Sequence, residues 1–443
     1  MEEGIYDIKG AACTDCKVMT RDVEPEALET IRKITDSEAF RGRRIRVMPD
    51  VHQGKGITIG FTSTLGGYVN PEHVGVDIGC TVSALMLDSA VPDGRLAYVE
   101  RRLKETIPTG FRVHDVCVAD RDMFLEFITD RFREAKGTWP ERLSGLPDSP
   151  DMDWLNRVLG RVGMDQGLFW CSLGTVGGGN HYMEYGEPAV QEGPCMFSVH
   201  CGSRNFGVKV ANYWTRVAGR KTDKVDVKSL AEQAVRECGN DRRAIGPRLK
   251  ELVREAGDAL NGDRIPGYLS GEDMDGYLCD MTLAMGYAMY NHMMIHHLAE
   301  GVFAECGINA VGSLFTTHNY IDMEDHIIRK GAVNAARGRW LLVPMNMRDG
   351  TAVCIGLGDA DWNSSCPHGA GRKMSRSRAM AELDLDEYRR QMDGICTTSV
   401  DRCTLDEAPG AYKDARSVLD RIDGHAVQVR YIVYPKINIK AAE

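Results

Sequence analysis

Residues of this chain that can bind metal or phosphate sit in short glycine-rich blocks running from about residue 50 to 436, with no linker between them. Side chains that must meet at one site cannot be shared between domains joined by a flexible tether, so this spacing demands one folded unit. We therefore expect a single domain over residues 1–443, of the α+β class, with a β-rich catalytic core and surrounding helices. Length alone leaves the question open, since 443 residues would also fill about two to three ordinary domains. Glycine supplies 47 of the 443 residues, above the ~7% usual in proteins, and the excess lies in these blocks.

Residues 44–90 read as short strands (RIRVMP, ITIGFTS, TVSALML) separated by Gly, Pro and Asn turns. The pattern turns helical over 96–137, and SGLPDSPDMD marks a break near 144–153. A further β-rich stretch carries SLGTVGGGNHYMEY and CMFSVHCGSR. Residues 221–300 read as a helical insertion that decorates the core, because Leu249, Leu252, Val253, Ala256 and Leu260 keep helical spacing in a charged stretch. The tail AVQVRYIVYPKINIK returns to β.

The acidic start MEEGIYDIKG lacks the order of a signal peptide, and no apolar run approaches the ~18 to 20 residues that span a bilayer. These features predict a soluble cytoplasmic protein with no membrane segment. Fourteen scattered cysteines then read as reduced thiols, and the lone C-x-x-C pair, Cys13 and Cys16, as ordinary ones. A net charge of -10 excludes a generally basic protein held to nucleic acid by bulk charge, so any RNA site must be a local basic groove.

The metal-competent residues are Asp77 and Cys80 in GVDIGC, His181 in GGGNH, His200 before CGSR, and His318 in TTHN. Imidazole, carboxylate and thiolate together suit a borderline or transition ion, and a thiolate can bridge two ions. Each alone reads more simply as a satisfied core residue; the shared glycine-rich setting makes them a group. Phosphate chemistry is suggested by Gly177, Gly178 and Gly179 before Asn180. It is suggested again by Gly369, Ala370, Gly371 and Arg372 after His368, with Ser375 and Arg376 beyond. Neither common nucleotide loop is present. These residues imply a metal-dependent enzyme acting on phosphates. His292, His296 and His297, in step with Met281, Met285 and Met289, read as a packed helix; His52 and His114 take no role.

MPDVHQGKGITIG at 48–60, GVDIGC at 75–80, SLGTVGGGNHYME at 172–184, HCGSRNFG at 200–207, HN at 318–319, RKGA at 329–332, SSCPHGAGRKMSR at 364–376 and AYKD at 411–414 resemble, in order, the signature blocks of the RtcB family of RNA ligases. The resemblance implies two Mn2+ ions held by Asp77, Cys80, His181, His200 and His318, with Cys80 able to bridge them. It implies GTP as the second substrate and His368 as the residue that becomes guanylylated. Asp50 would orient that nucleophile or assist the metals. Asn180, Glu184, Asn319, Gly369, Ala370, Gly371, Arg372, Tyr412 and Lys436 would contact the nucleotide, Lys436 being favoured over Lys440. Arg204, Arg372 and Arg376 would grip phosphate. RNA with a 3'-phosphate or 2',3'-cyclic phosphate end would be joined to a 5'-hydroxyl end in splicing or repair. An activating partner of the archease type serves some relatives.

Three positions depart from the family pattern: Thr81 stands for a glycine after GVDIGC, Ile328 for a histidine before RKGA, and VPMNM at 343–347 for a P-G-S-M-like loop. The bulk of Met345 and Asn346 puts the grip on GTP in question. The rival reading is a metal-dependent phosphatase or cyclic phosphodiesterase that has lost ligation, and a non-catalytic RNA-binding protein is a further alternative.

Overall fold

Alternating apolar residues build two sheets. In the computed structural model, which describes residues 4–190, 193–219, 227–239, 241–261 and 265–441, one sheet has six strands in the order Tyr6–Ile8, Asp15–Val18, Arg44–His52, Ile59–Thr64, Ile327–Lys330 and Asn319–Ile321. The other has seven, in the order Trp340–Asn346, Gly350–Gly356, Val427–Ile439, Tyr182–Pro188, Cys195–Cys201, Thr81–Leu87 and Ala310–Thr317. A two-stranded ribbon pairs Ala332–Asn334 with Ser365–Pro367. The class is α+β, as expected.

The segments read as strands at 44–49, 57–63, 81–87 and 426–440 form the strands Arg44–His52, Ile59–Thr64, Thr81–Leu87 and Val427–Ile439. The helical stretch after residue 96 is two helices, Leu96–Thr106 and Arg121–Thr138. Pro108 and Gly110 part them, and Asp120 caps the second by accepting from the backbone N–H of Asp122 and Met123. The break near 144–153 ends at Asp151, whose carboxylate caps the helix Met152–Val162. The SLGTVGGGNH segment is loop apart from an isolated bridge of Val176 to Thr109, and continuous strand pairing begins at Tyr182.

Within 221–300 the structure separates two kinds of helix. Val227–Cys238 and Arg242–Asn261 pack on each other, and Leu252 is buried. The side chains of Ala256 and Leu260, and residues 221–226, 240 and 262–264, lie outside the described residues. Gly271–Ala304 does not decorate anything. Its residues Ile295, Ala299, Val302 and Phe303 pack against Leu85, Met183, Phe197 and Val199 of the seven-stranded sheet. Its N-terminal half joins the larger core through Met274, Tyr277, Leu278, Met281 and Tyr287. Among the described residues no helix is long and apolar enough to cross a membrane.

Three histidines belong to this core rather than to the candidate site. His73 lies between the rings of Phe40, Phe61 and Tyr268. His292 and His296 sit on the long helix, fully or nearly fully buried, while His297 is exposed. Burial lowers His73 to about 3, His292 to about 4 and His296 to about 3, against ~6.5 in an unfolded chain. Between pH 6.5 and 5 the unfolded chain therefore takes up protons that the folded chain refuses, and stability falls as pH falls. Urea denaturation of the metal-free protein should show a loss of about 1.4 kcal/mol per pH unit for each such proton. His73→Phe should remove about one proton from that slope. An unchanged slope would contradict the assignment.

Candidate functional site

Strand register creates the cluster. Tyr182–Pro188, Cys195–Cys201, Thr81–Leu87 and Ala310–Thr317 are consecutive neighbours in the seven-stranded sheet. Thr81 pairs with both Cys201 and Thr317, and Tyr182 with His200. Cys80 and His181 therefore immediately precede their strands, His318 follows its strand, and His200 is next to last in its own, all at one end of the sheet.

Asp77 Oδ2 lies 3.0 Å from His181 Nε2. Cys80 Sγ lies 3.5 Å from His181 Nε2 and 3.2 Å from His200 Nε2. His200 Nε2 is 3.2 Å from His318 Nε2. The five form two triads, Asp77–Cys80–His181 and Cys80–His200–His318, which share the Cys80 sulfur. Gly202 leaves the room that Asp77 needs, since a Cβ there would lie 2.1 Å from Asp77 Oδ1. Burial keeps His200 and His318 far below the usual imidazole range, so their nitrogens keep lone pairs. Burial, aided by Asp77, pushes the Cys80 thiol well above its usual range, so a thiolate there needs a cation. His181 Nδ1 is buried without a hydrogen-bond partner among the described residues. Lone pairs converging on a thiol and a carboxylate fit borderline divalent ions, and the shared sulfur fits a pair of them.

The six-stranded sheet and the ribbon supply the other wall. Asp50, fully buried in the strand Arg44–His52, has Oδ2 2.7 Å from His368 Nδ1. His368 follows the ribbon strand Ser365–Pro367, and its ring centre is 4.8 Å from that of His318. A carboxylate only accepts, so Nδ1 carries the proton that the pair shares, and Nε2 is the nitrogen left to face the cleft. Gly371, at φ +75°, lets the HGAGR turn close on Asp50: a Cβ there would fall 2.3 Å from the Asp50 carbonyl oxygen.

A cleft of about 800 Å³ joins the two walls, lined by Asp77, Cys80, Asn180, Glu184, His200, His318, Asn319, His368, Gly369, Ala370, Gly371, Arg372 and Tyr412. Asn319 has both ends of its amide engaged, donating to the Asp77 carbonyl and accepting from Gly331 N–H. Burial raises the Glu184 carboxyl to about 8, against the Asn438 amide and the Lys440 charge, which pull it down.

Of the two lysines, the structure brings Lys440 and not Lys436 into the cleft. Lys436 is the extra residue of a bulge between Pro435 and Ile437, which breaks the two-residue alternation and turns its side chain outward. It is 39% exposed, 3.9 Å from Glu187. Lys440 is buried and reaches Glu407 at 2.6 Å. Glu407, which no sequence motif marks, also holds Arg372 at 3.1 Å, Arg376 at 3.0 Å and the Tyr412 hydroxyl at 2.5 Å. Burial pushes its carboxyl up, but Lys440, Arg376 and Arg372 outweigh that and hold it below the usual range. A balance of charge around Arg372 and Arg376 is the only signal that could have pointed to it. Arg204 is held by Thr175 Oγ1 and the Gly110 carbonyl.

His52 accepts no new role: its Nδ1 contacts the Asp50 carbonyl, and His114 Nε2 contacts that of Gly174. Cys13 and Cys16 are buried free thiols. VPMNM closes a strand rather than forming a loop. Met345 and Met347 are each 3% exposed and pack in separate apolar clusters, presenting only an edge to the cleft.

Such a cleft suits a metal-dependent enzyme of phosphate chemistry, and comparison with known proteins gives that class a family. The family model described as tRNA-splicing ligase RtcB matches residues 34–441, so the chain belongs to that family. It is 26% identical to the RNA-splicing ligase RtcB of Escherichia coli K12, over 98% of this chain and 99% of that protein. It is also similar to the tRNA-splicing ligase RtcB of Pyrobaculum aerophilum, 26% identical over 84% and 82% of the two chains. The RNA-splicing ligase RtcB of Mycobacterium tuberculosis is 28% identical over 84% and 91%.

The Glu407 network predicts unequal losses. Lys440→Met leaves the carboxylate two arginines, whereas Glu407→Met takes the shared carboxylate from Lys440, Arg372 and Arg376, of which Arg376 keeps its pair with Asp406. Breaking a buried pair costs about 3–5 kcal/mol. Urea unfolding should place Lys440→Met near the lower figure and Glu407→Met at or beyond the upper; the reverse order would contradict the network.

Proposed function

We propose that this chain is an RNA ligase that uses GTP and Mn2+ to join an RNA 3'-phosphate end to a 5'-hydroxyl end through a guanylylated His368. The observation that carries the reading is the buried Asp50–His368 pair beside the shared-cysteine triads in one cleft. Family membership and the names of the relatives supply the RNA and the ligation.

Asp50 holds the proton on His368 Nδ1 and so aims the Nε2 lone pair into the cleft. His368 Nε2 attacks the α-phosphorus of GTP, a P–N bond forms, and pyrophosphate leaves. The RNA 3'-phosphate oxygen then displaces His368, taking GMP. The 5'-hydroxyl of the second RNA attacks the activated 3'-phosphate, loses its proton and expels GMP. A 2',3'-cyclic end is first opened by water to a 3'-phosphate. Asp77, Cys80, His181, His200 and His318 would hold two Mn2+ ions, which neutralise charge on the reacting phosphates when bound. Glu184, Asn180, Asn319 and Tyr412, which line the cleft, would contact the nucleotide, with Lys440 taking the role first given to Lys436. Arg372, Arg376 and Lys440 make a local positive corner in an acidic protein.

Incubation with α-labelled GTP and Mn2+ should leave an acid-labile label on the protein that His368→Ala abolishes and that Asp50→Asn forms more slowly, by up to about ten-thousandfold, the scale of losing a histidine's orienting carboxylate. Joining of 3'-phosphate to 5'-hydroxyl RNA, assayed with and without an archease-type protein, should follow the label. Metal-loaded protein that takes no label but releases phosphate from RNA ends would replace this reading with the phosphatase one.

A further inference from the structure

The ligand-bearing loops are fastened from behind by side chains that no motif contains. Asn291, fully buried on the helix Gly271–Ala304, accepts from the backbone N–H of Gly174 at 2.8 Å and of Thr175 at 3.3 Å. Its Nδ2 donates to the Thr175 carbonyl at 3.1 Å and the Gly202 carbonyl at 3.5 Å. One amide thus ties the loop leading to His181 to the residues just after His200. The next residue, His292, places Nε2 3.0 Å from the Cys201 carbonyl.

The protons in this cluster are determined. A carbonyl can only accept, so His292 Nε2 carries the hydrogen and Nδ1 must accept. Its partner is Ser83 Oγ at 2.6 Å, which donates and in turn accepts from His296 Nε2 at 2.8 Å. Every donor in the chain His296–Ser83–His292–Cys201 meets one acceptor, and both rings are held neutral by burial. The clamp matters because His181 Nδ1 has no partner among the described residues. A ligand histidine whose second nitrogen is unheld must take its aim from its backbone, and outer hydrogen bonds of this kind tune metal sites.

We infer that Asn291 and His292, locked by Ser83 and His296, are positioning residues that set the spacing of the His181 and His200 loops for divalent metal. The inference rests on the reading of those two histidines as ligands. Mn2+ uptake by the metal-free full chain, followed by electron paramagnetic resonance, tests it without relying on turnover, together with the thiolate-to-cobalt absorption of the Co2+ form. His292→Leu should bind Mn2+ about ten- to a hundredfold more weakly and shift the cobalt band, while His292→Gln, which keeps a donor at the place of Nε2, should recover most of the loss. If His292→Leu does not fold, Ser83→Ala decides, since it deletes one hydroxyl and leaves His292 Nδ1 unpaired; weaker uptake is expected. Folded variants that match wild type, or a glutamine variant no better than leucine, would overturn the positioning role alone. Wild-type protein that takes up no Mn2+ would instead remove the metal reading, and this inference with it.

Discussion

A strand presents its side chains to alternate faces, so a slip of one residue in any of four strands would carry a ligand away from the others. Cys80, His181, His200 and His318 meet because Thr81 pairs with Cys201 and Thr317 while Tyr182 pairs with His200. That register is enforced from both faces. Leu85, Phe197, Val199 and Met183 meet the long helix on one side. Val82, Ala84 and Met196 meet Leu342, Val353 and Val433 on the other. Both faces are buried, so moving a strand by one residue would set side chains fitted to the helix against the facing strands and the reverse, and the packing that stabilises the sheet also assembles the site.

The two walls of the cleft carry opposite electrostatic problems. On the sheet wall, neutral imidazoles, a protonated thiol and a carboxylate crowd within hydrogen-bond distance and gain most from a cation. In the opposite corner Lys440, Arg372 and Arg376 pair, among the described residues, with Glu407 and Asp406, three cations to two carboxylates. A phosphate between them would meet cations from both directions. A chain with a net charge of -10 can in this way hold a polyanion locally, because buried charge acts at short range and is little screened.

The α+β class and the segments that meet at the cleft were legible because glycine-rich turns announce backbone that must approach something closely. GVDIGC, GGGNH and HGAGR each deliver a polar side chain to the cleft. What escaped depended on pairing that no local pattern encodes. A bulge at Lys436 inverts the choice between two lysines of equal parity. Glu407 lies in a short 3-10 helix within TLDEAP and is defined only by the cations that fold onto it. The 271–304 helix reads as a decoration because its charged neighbours dominate the stretch, yet it is buried along its length. Asn291 and His292 look like interior polar residues of such a helix; their partners are loops about 90 to 120 residues away in sequence.

The departures from the family pattern are largely taken up by packing, although Met345, Asn346 and Met347 also border the cleft. Thr81 spends its hydroxyl on the Gly79 carbonyl and the Thr317 hydroxyl. Ile328 is fully buried in the largest apolar cluster. Met345 packs with Val343, Ala352 and Cys354, and Met347 with Tyr388 and Met392, while the Asn346 amide is held by Asp349. A substitution on the core side of a strand alters packing but leaves nearly unchanged the atoms that the other side presents. Residues pointing into the cleft are under the opposite constraint, since each must reach a common point to within a hydrogen bond's length. Sequence can thus drift to about one identity in four relative to its relatives while Asp50, His368 and the five metal-competent side chains still converge.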